Sequence, residues 1–142
     1  MAPKIEPCSD YAALTDIWHA SVKATHGFLT LGDIDYYREC IPRDYMPNLA
    51  IYATRNDSGR WCAFIGIGDD MVEMLFVHPD AMGRGYGSAL LRFAIARGIR
   101  LVDVNEQNPR ALRFYLRHGF RVISRSPLDP QGHPYPILPL SL

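Results

Sequence analysis

The sequence has fifteen Lys plus Arg and fifteen Asp plus Glu among its 142 residues, so the formal net charge is zero. This balance differs from the basic excess of most nucleic-acid-binding proteins, and no nucleic-acid partner is expected. Three widely spaced cysteines without a Cys-x-x-Cys pair argue against a disulfide framework and a zinc site, so no metal is expected. The length suits a single domain, 1–142, and the absence of a signal-peptide pattern or a long apolar run predicts a cytoplasmic protein without a membrane partner.

The first part of the chain predicts one short strand followed by two helices. The strand is expected at about 4–7, and a helix follows because apolar residues recur at helical spacing, namely Tyr11, Leu14, Trp18 and Val22. A second helix is expected at about 30–40. Pro42 and Pro47 are expected to keep the next stretch from being helical.

The middle of the chain predicts two hairpins. The segments 49–55 and 61–68 flank Asn56-Asp57-Ser58-Gly59, which is a typical hairpin turn sequence. A second turn at Asp69 and Asp70 leads into the segment 71–77, which is apolar on both faces, as a central strand would be.

The remaining elements alternate between helix and strand and are expected at 85–97, 101–104, 108–118, 120–125 and 135–142. Pro136 and Pro139 favour an edge position for the last strand. The order β-α-α-β-β-β-α-β-α-β-β predicts a mixed α/β (α+β) fold, with a central sheet covered by helices on both faces.

A glycine-rich loop lies between the predicted central strand and the next helix. Gly83, Gly85 and Gly87 alternate with other residues there, which lets successive backbone N–H groups surround an anion at a helix N-terminus. The nucleoside-triphosphate P-loop is excluded because it needs Gly-Lys-Ser or Gly-Lys-Thr, and Gly87-Ser88-Ala89 has no lysine. The dinucleotide pattern would need glycine in place of Ser88. A plain glycine turn before a packed helix remains the alternative interpretation.

A second motif, Asn-x-x-Ala-x-x-Phe-Tyr-x-x-x-Gly-Phe, lies one strand downstream and is formed by Asn108, Ala111, Phe114, Tyr115, Gly119 and Phe120. With the glycine loop in the same order and spacing, it resembles the GNAT superfamily of N-acetyltransferases. The clear resemblance covers about 71–125. The sequence departs from the family at Met82, where arginine or glutamine is usual, and we expect this to affect cofactor affinity more than function.

The resemblance implies a mostly antiparallel sheet of about seven strands, splayed at the two central parallel strands. It implies acetyl-CoA as the cofactor, with CoA as product, and backbone polarisation of the thioester carbonyl by the N–H of Phe76 or Val77. The implied cofactor contacts are Leu75, Phe76, Val77, Met82, Gly83, Arg84, Gly85, Tyr86, Gly87, Ser88, Asn108 and Tyr115.

The resemblance also implies catalytic residues, with Tyr115 as the general acid that protonates the leaving sulfur. Glu73 is the candidate base, and two-residue alternation places its side chain on the face of Leu75 and Val77. It could act directly, act through water, orient the amine or form a buried ion pair with an arginine. His26 and Phe28 are expected to contact the substrate, and His26 is a second candidate base or a structural histidine.

The implied reaction is direct attack of a primary amine on acetyl-CoA in a ternary complex. A small-molecule acceptor is the preferred expectation. The alternatives are a protein lysine or N-terminal acetyltransferase and a non-catalytic acyl-CoA-binding module. A monomer or a homodimer through the segment 135–142 is expected.

Overall fold

The computed structural model describes residues 2–25, 27 and 29–142, which form seven strands and four α-helices. The strands are β1 Glu6–Pro7, β2 Ala50–Arg55, β3 Trp61–Ile67, β4 Met71–Val77, β5 Leu101–Asn105, β6 Arg121–Val122 and β7 Ile137–Ser141. The helices are α1 Tyr11–Thr25, α2 Leu31–Cys40, α3 Tyr86–Ala96 and α4 Pro109–Arg117. Within these described ranges, no helix has the length and apolar character that crossing a bilayer requires.

All seven strands belong to one sheet in the order β1-β2-β3-β4-β5-β7-β6. Every neighbouring pair is antiparallel except β4 with β5, which run parallel. The prediction of a mixed, mostly antiparallel α/β fold is therefore confirmed, including the position of the two parallel strands at the centre.

Helices cover both faces of this sheet, and each face has its own hydrophobic core. The α1–α2 core is built around Leu14, Trp18, Ile34, Phe64 and Met74. The α3–α4 core is built around Leu90, Leu91, Val72, Val102 and Tyr115. Each fully buried side chain of this size stabilises the fold by roughly 1.5–3 kcal/mol relative to an exposed one. The core that a strand residue joins also shows which face of the sheet its side chain occupies.

The expectation that Pro42 and Pro47 prevent helical structure is wrong. A π-helical turn spans Ile41–Tyr45 and a 3₁₀ turn spans Met46–Asn48, directly after α2. The N–H of Ile41 donates to the carbonyl of Tyr37, so the helical path continues from α2 into the π turn past Pro42. Each proline lies at the first or second position of its segment, where proline is best tolerated.

The expectation that β7 is an edge strand is also wrong, because β7 lies between β5 and β6. The carbonyl of Pro139 accepts a hydrogen bond from the N–H of Ile123 at 2.9 Å, on the β6 side of the strand. In an extended chain the N–H and C=O of one residue point the same way. The missing N–H of Pro139 therefore faces β6, which pairs only with Leu140 and Ser141, and the β5 ladder loses no bond.

Candidate active site

The centre of the sheet opens into a cleft because β4 and β5 pair over two residues only. The parallel register consists of Met71 with Leu101 and Val72 with Val102, and the strands then separate. A cleft of about 470 Å³, here called the central cleft, lies beyond this point. Its walls come from β4, β5, the glycine loop, α4 and the C-terminal end of α1, where Ser21 and Thr25 contribute. The predicted splay of the two parallel strands is present.

A β-bulge at Glu73 accompanies this separation. Val72 lies opposite Ile67 of β3 and Met74 lies opposite Gly66, so β4 has one extra residue between them. Val72 belongs to the α3–α4 core and Met74 to the α1–α2 core, although the two are only two residues apart. The unbroken alternation that put Glu73 on the face of Leu75 and Val77 therefore does not hold across this position.

Beyond the bulge, the backbone of β4 presents hydrogen-bonding groups to the central cleft. The N–H of His78 donates to the carbonyl of Cys62 on β3 at 2.8 Å. Because backbone groups alternate in direction along a strand, those of Phe76 also face β3, whereas those of Leu75 and Val77 face the cleft. Of the two amides considered for polarising a thioester carbonyl, the geometry favours Val77 over Phe76.

The glycine loop supplies a second set of backbone donors. Gly83 and Gly85 have φ angles of +78° and +87°, a region that residues with a Cβ rarely adopt. The first hydrogen bond of α3 runs from the N–H of Ala89 to the carbonyl of Gly85 at 3.0 Å. The backbone N–H groups of residues 86–88 therefore make no helical hydrogen bond, and they lie at the positive end of the helix dipole. This arrangement suits a pyrophosphate.

Eleven of the twelve predicted cofactor contacts line the central cleft, namely Leu75, Phe76, Val77, Met82, Gly83, Gly85, Tyr86, Gly87, Ser88, Asn108 and Tyr115. Arg84 lies instead in a second depression, beside the β2–β3 turn, together with Arg55 and Trp61. The two predicted substrate contacts His26 and Phe28 lie outside the described residues. The structure thus brings together most of the predicted site around one opening.

Tyr115 projects from α4 into the wall of the central cleft and is only 6% exposed. Its ring packs edge-on against Phe114 and Phe120, with centroid distances of 5.1 and 5.7 Å. Among the residues that the structure describes, none forms a hydrogen bond with its hydroxyl. Burial raises the pKa of Tyr115 above its usual value, so the hydroxyl keeps its proton at neutral pH. A protonated hydroxyl without a hydrogen-bond partner among the described residues is suited to proton donation.

Asn108 has a structural role that the sequence motif did not reveal. It is buried at the start of α4, and its side-chain oxygen accepts a hydrogen bond from the N–H of Ala111 at 3.2 Å. The residue is therefore the N-cap of α4.

Carboxylates occupy the part of the central cleft nearest to the bulge. Burial, followed by the negative charges of Asp103 and Asp70, raises the pKa of Glu73 above its usual range. Burial also raises the pKa of Asp103, which lines the same cleft. Glu73 makes no ion pair with the described residues, so the buried ion pair considered from the sequence is not formed there.

Sequence reasoning missed Asp103 and Arg110, which both line the central cleft. For Asp103 a signal was present, since it is a charged residue inside the short apolar strand Leu101–Asn105. For Arg110 the signal was its place in the first turn of α4, next to the N-cap Asn108.

A fold split at its two central parallel strands, with a phosphate-type loop on one side of the split, defines a cofactor-dependent transferase of the acyl-CoA type. Residues 47–122 match the family model described as an acetyltransferase (GNAT) domain. The chain belongs to the GNAT family, and it is an acetyltransferase.

Individual relatives extend this similarity over nearly the whole chain. The chain is 36% identical over 131 residues to the peptidyl-lysine N-acetyltransferase YjaB of Salmonella typhimurium, covering 89% of this chain and 88% of the relative. The solution structure of apo-form YjaB from Escherichia coli has a TM-score of 0.88 and 31% identity, covering 99% of this chain and 97% of that one. The PaiA N-acetyltransferase of Thermoplasma acidophilum, in complex with coenzyme A, shares the fold with a TM-score of 0.70 at 20% identity, covering 98% and 99%.

Proposed function

We propose that this acetyltransferase transfers the acetyl group of acetyl-CoA to the side-chain amine of lysine in a protein or peptide. The observation that carries the proposal is the similarity to relatives named peptidyl-lysine N-acetyltransferases, at 36% identity over 89% of this chain. The small-molecule acceptor preferred from the sequence has no comparable support. Carboxylates at one end of the central cleft also suit a cationic acceptor such as lysine.

The residues of the central cleft fit acetyl-CoA. The positive φ angles of Gly83 and Gly85 and the first backbone N–H groups of α3, which make no helical hydrogen bond, together form a concave set of donors for a pyrophosphate. The edge of β4 beyond the bulge is left unpaired by β5, so Leu75 and Val77 can pair with an extended amide chain such as pantetheine. Arg110 adds a positive charge to the cleft near the N-terminus of α4.

Acetyl-CoA, when bound, supplies the acetyl group as a thioester. The N–H of Val77 then polarises the carbonyl oxygen, since it points into the cleft and is fixed by the β3–β4 ladder. Tyr115 donates its hydroxyl proton to the leaving sulfur, whose thiol has a pKa of roughly 8.5. The acceptor amine has a pKa of roughly 10.4, so it must lose a proton before it attacks, and a carboxylate of the cleft receives it.

The experiment is acetylation of a lysine-containing peptide by the purified protein with acetyl-CoA. Mass spectrometry of the peptide should show one added acetyl group on lysine, with equivalent thiol release. The control peptide has a blocked N-terminus and arginine in place of lysine, and it should remain unmodified. Acetylation of a short diamine without acetylation of the lysine peptide would refute the protein acceptor and restore the small-molecule alternative.

A further inference from the structure

The strand register places two acidic residues at corresponding backbone positions where the sheet opens. Val72 and Val102 form the last in-register pair of the parallel strands, and the next residue on each strand is acidic, Glu73 on β4 and Asp103 on β5. Both line the central cleft. Val102 and Val104 belong to the α3–α4 core, so Asp103 lies between them on the opposite side of β5, towards α1.

The side chain of Glu73 lies close to Gly68, just after β3. A β-carbon built on Gly68 would lie 3.1 Å from Oε1 of Glu73 and 3.2 Å from its Cγ, so the carboxylate packs against the end of β3. Neither Glu73 nor Asp103 has an ion-pair partner within the ranges 2–25, 27 and 29–142. Two acidic side chains that line one cleft without a cation suit a ligand that brings one.

A second, independent feature of the cleft points to a bound reactant. Tyr115 is 94% buried, lines the same cleft, and has a hydroxyl that no described residue engages. Among the described residues, only the Thr54 hydroxyl is both sealed from solvent and unpaired, so the hydroxyl of Tyr115 is open to the cleft, where a ligand can contact it. The cleft therefore has a proton donor on its α4 wall and proton acceptors at the point where β4 and β5 separate.

We propose that Asp103 acts together with Glu73 as a carboxylate pair that binds the acceptor ammonium and receives its proton. This inference rests on the proposed transfer to a primary amine and adds a residue to it. Asp103 is a positioning residue, since it holds the ammonium and sets the proton affinity of Glu73, and Glu73 is the base.

The acceptor nitrogen loses two protons during the transfer. An ammonium carries three hydrogens on nitrogen and the product amide carries one. The first proton passes to Glu73 before attack. The C–N bond then forms as the C–S bond breaks, and the second proton leaves the nitrogen for solvent. The thiolate takes a proton from Tyr115, which recovers one from Glu73 through water, so one proton in total is released.

The charged surroundings of Glu73 favour this assignment. The turn before β4 contributes Asp70 and β5 contributes Asp103, and both raise the pKa of Glu73 after the larger effect of burial. The α1 wall contributes the uncharged Ser21 and Thr25. The α4 wall contributes Tyr115, Arg110 and Arg117, and neither arginine is among the charges that shift the pKa of Glu73.

The test compares Glu73→Gln, Asp103→Asn and the control Asp35→Asn, which removes an exposed charge from α2 outside the cleft. Glu73→Gln should lower kcat/KM for the lysine peptide by about 10²-fold and abolish the acid limb of the pH profile. Asp103→Asn should lower kcat/KM for the lysine peptide about tenfold. It should also move the acid limb of the pH profile to lower pH, because the pKa of Glu73 falls when the negative charge of Asp103 is removed. The KM for acetyl-CoA should stay unchanged, and the control should match wild type.

Folding must be separated from chemistry in these variants. Folding raises the pKa of Asp103, so the folded protein favours the protonated carboxyl. Ionisation of Asp103 at higher pH therefore lowers the stability of the fold. Asp103→Asn should therefore melt at the same temperature as wild type, or higher, at neutral pH. Lost activity with a lowered melting temperature in Asp103→Asn would contradict the proposal.

A measurement that does not depend on catalysis tests whether Glu73 and Asp103 interact, independently of whether the acceptor is a protein lysine. Carboxyl ¹³C NMR titration should show a lower pKa for Glu73 in Asp103→Asn than in wild type. An unchanged titration overturns the carboxylate pair, whichever acceptor is used. A changed titration with no peptide acetylation, but with acetylation of a short diamine, retains the pair and refutes only the protein acceptor.

Discussion

The glycine loop allows backbone conformation and ligand contact to be separated by matched substitutions. Gly85 has φ of +87° with no atom within 4 Å of a built β-carbon, and Gly59 in the β2–β3 turn has φ of +80° with equally open surroundings. Gly85→Ala and Gly59→Ala therefore introduce the same strain without a clash. Alanine in this region costs about 1–2 kcal/mol, partly offset by the lower entropy of the unfolded chain. We expect each variant to lose about 1 kcal/mol, or about 2–4 °C in Tm.

Gly87→Ala provides the opposite case. The new methyl would lie 3.5 Å from the ring of Phe114 and 3.6 Å from Cγ2 of Val77, which are ordinary contacts. Since alanine is also a better helix former than glycine, stability should be unchanged or higher by up to about 1 kcal/mol. The methyl occupies the central cleft beside the amides expected to hold the pyrophosphate. The affinity for CoA should therefore fall at least about tenfold, which is about 1.4 kcal/mol.

Differential scanning calorimetry and isothermal titration with CoA and acetyl-CoA would measure both quantities on the same samples. Gly85→Ala should lose both stability and affinity for CoA. Gly59→Ala should lose only stability, and Gly87→Ala should lose only affinity for CoA. If Gly85→Ala and Gly87→Ala both bind CoA as tightly as wild type, the assignment of the loop as the phosphate site is refuted.

Substitutions at three further positions test other parts of the structure. Tyr115→Phe should lower kcat by about 10²-fold with little change in CoA affinity, and undiminished turnover would remove Tyr115 from proton transfer. Asn108→Ala should lower the unfolding free energy by about 1 kcal/mol through loss of the α4 N-cap, whereas Asn108→Asp should keep it, so identical melting curves would argue against the cap. The buried hydroxyl of Thr54 has no hydrogen-bond partner among the described residues, so Thr54→Val should leave Tm equal or higher, and a loss above about 1 kcal/mol would reveal a partner.

The element order was predictable because hydrophobic periodicity and turn residues are local signals. The turn at 56–59 and the glycines after the strand 71–77 and the helix 108–118 each mark a boundary within a few residues of the observed one. The two motifs then defined the family, because their spacing requires a specific strand between them. These signals do not depend on how distant segments pair.

Apart from the helical turns at Pro42 and Pro47, the errors arose where pairing between distant segments decides the outcome. An extra residue at Glu73 leaves the apolar pattern of β4 intact, so only its register with β3 reveals the bulge. Pro139 is tolerated inside the sheet because the strand on its N–H side is only two residues long, which the local sequence does not indicate. Asp103 becomes part of the site only through its register with Glu73 across the parallel pair.

The bulge and the short parallel register together explain how the central cleft acquires opposite charges at its two ends. Parallel pairing that continued past Val72 would close the sheet and bury Glu73 and Asp103 side by side, which the repulsion and desolvation of two carboxylates oppose. The same repulsion is relieved when the strands separate and a cation enters. On the other side of the opening, α3 points its N-terminus into the cleft, which attracts an anion. A chain with no net charge thus holds an anionic donor and a cationic acceptor on opposite sides of one opening. The splay is the geometry that brings the reacting atoms of the two together.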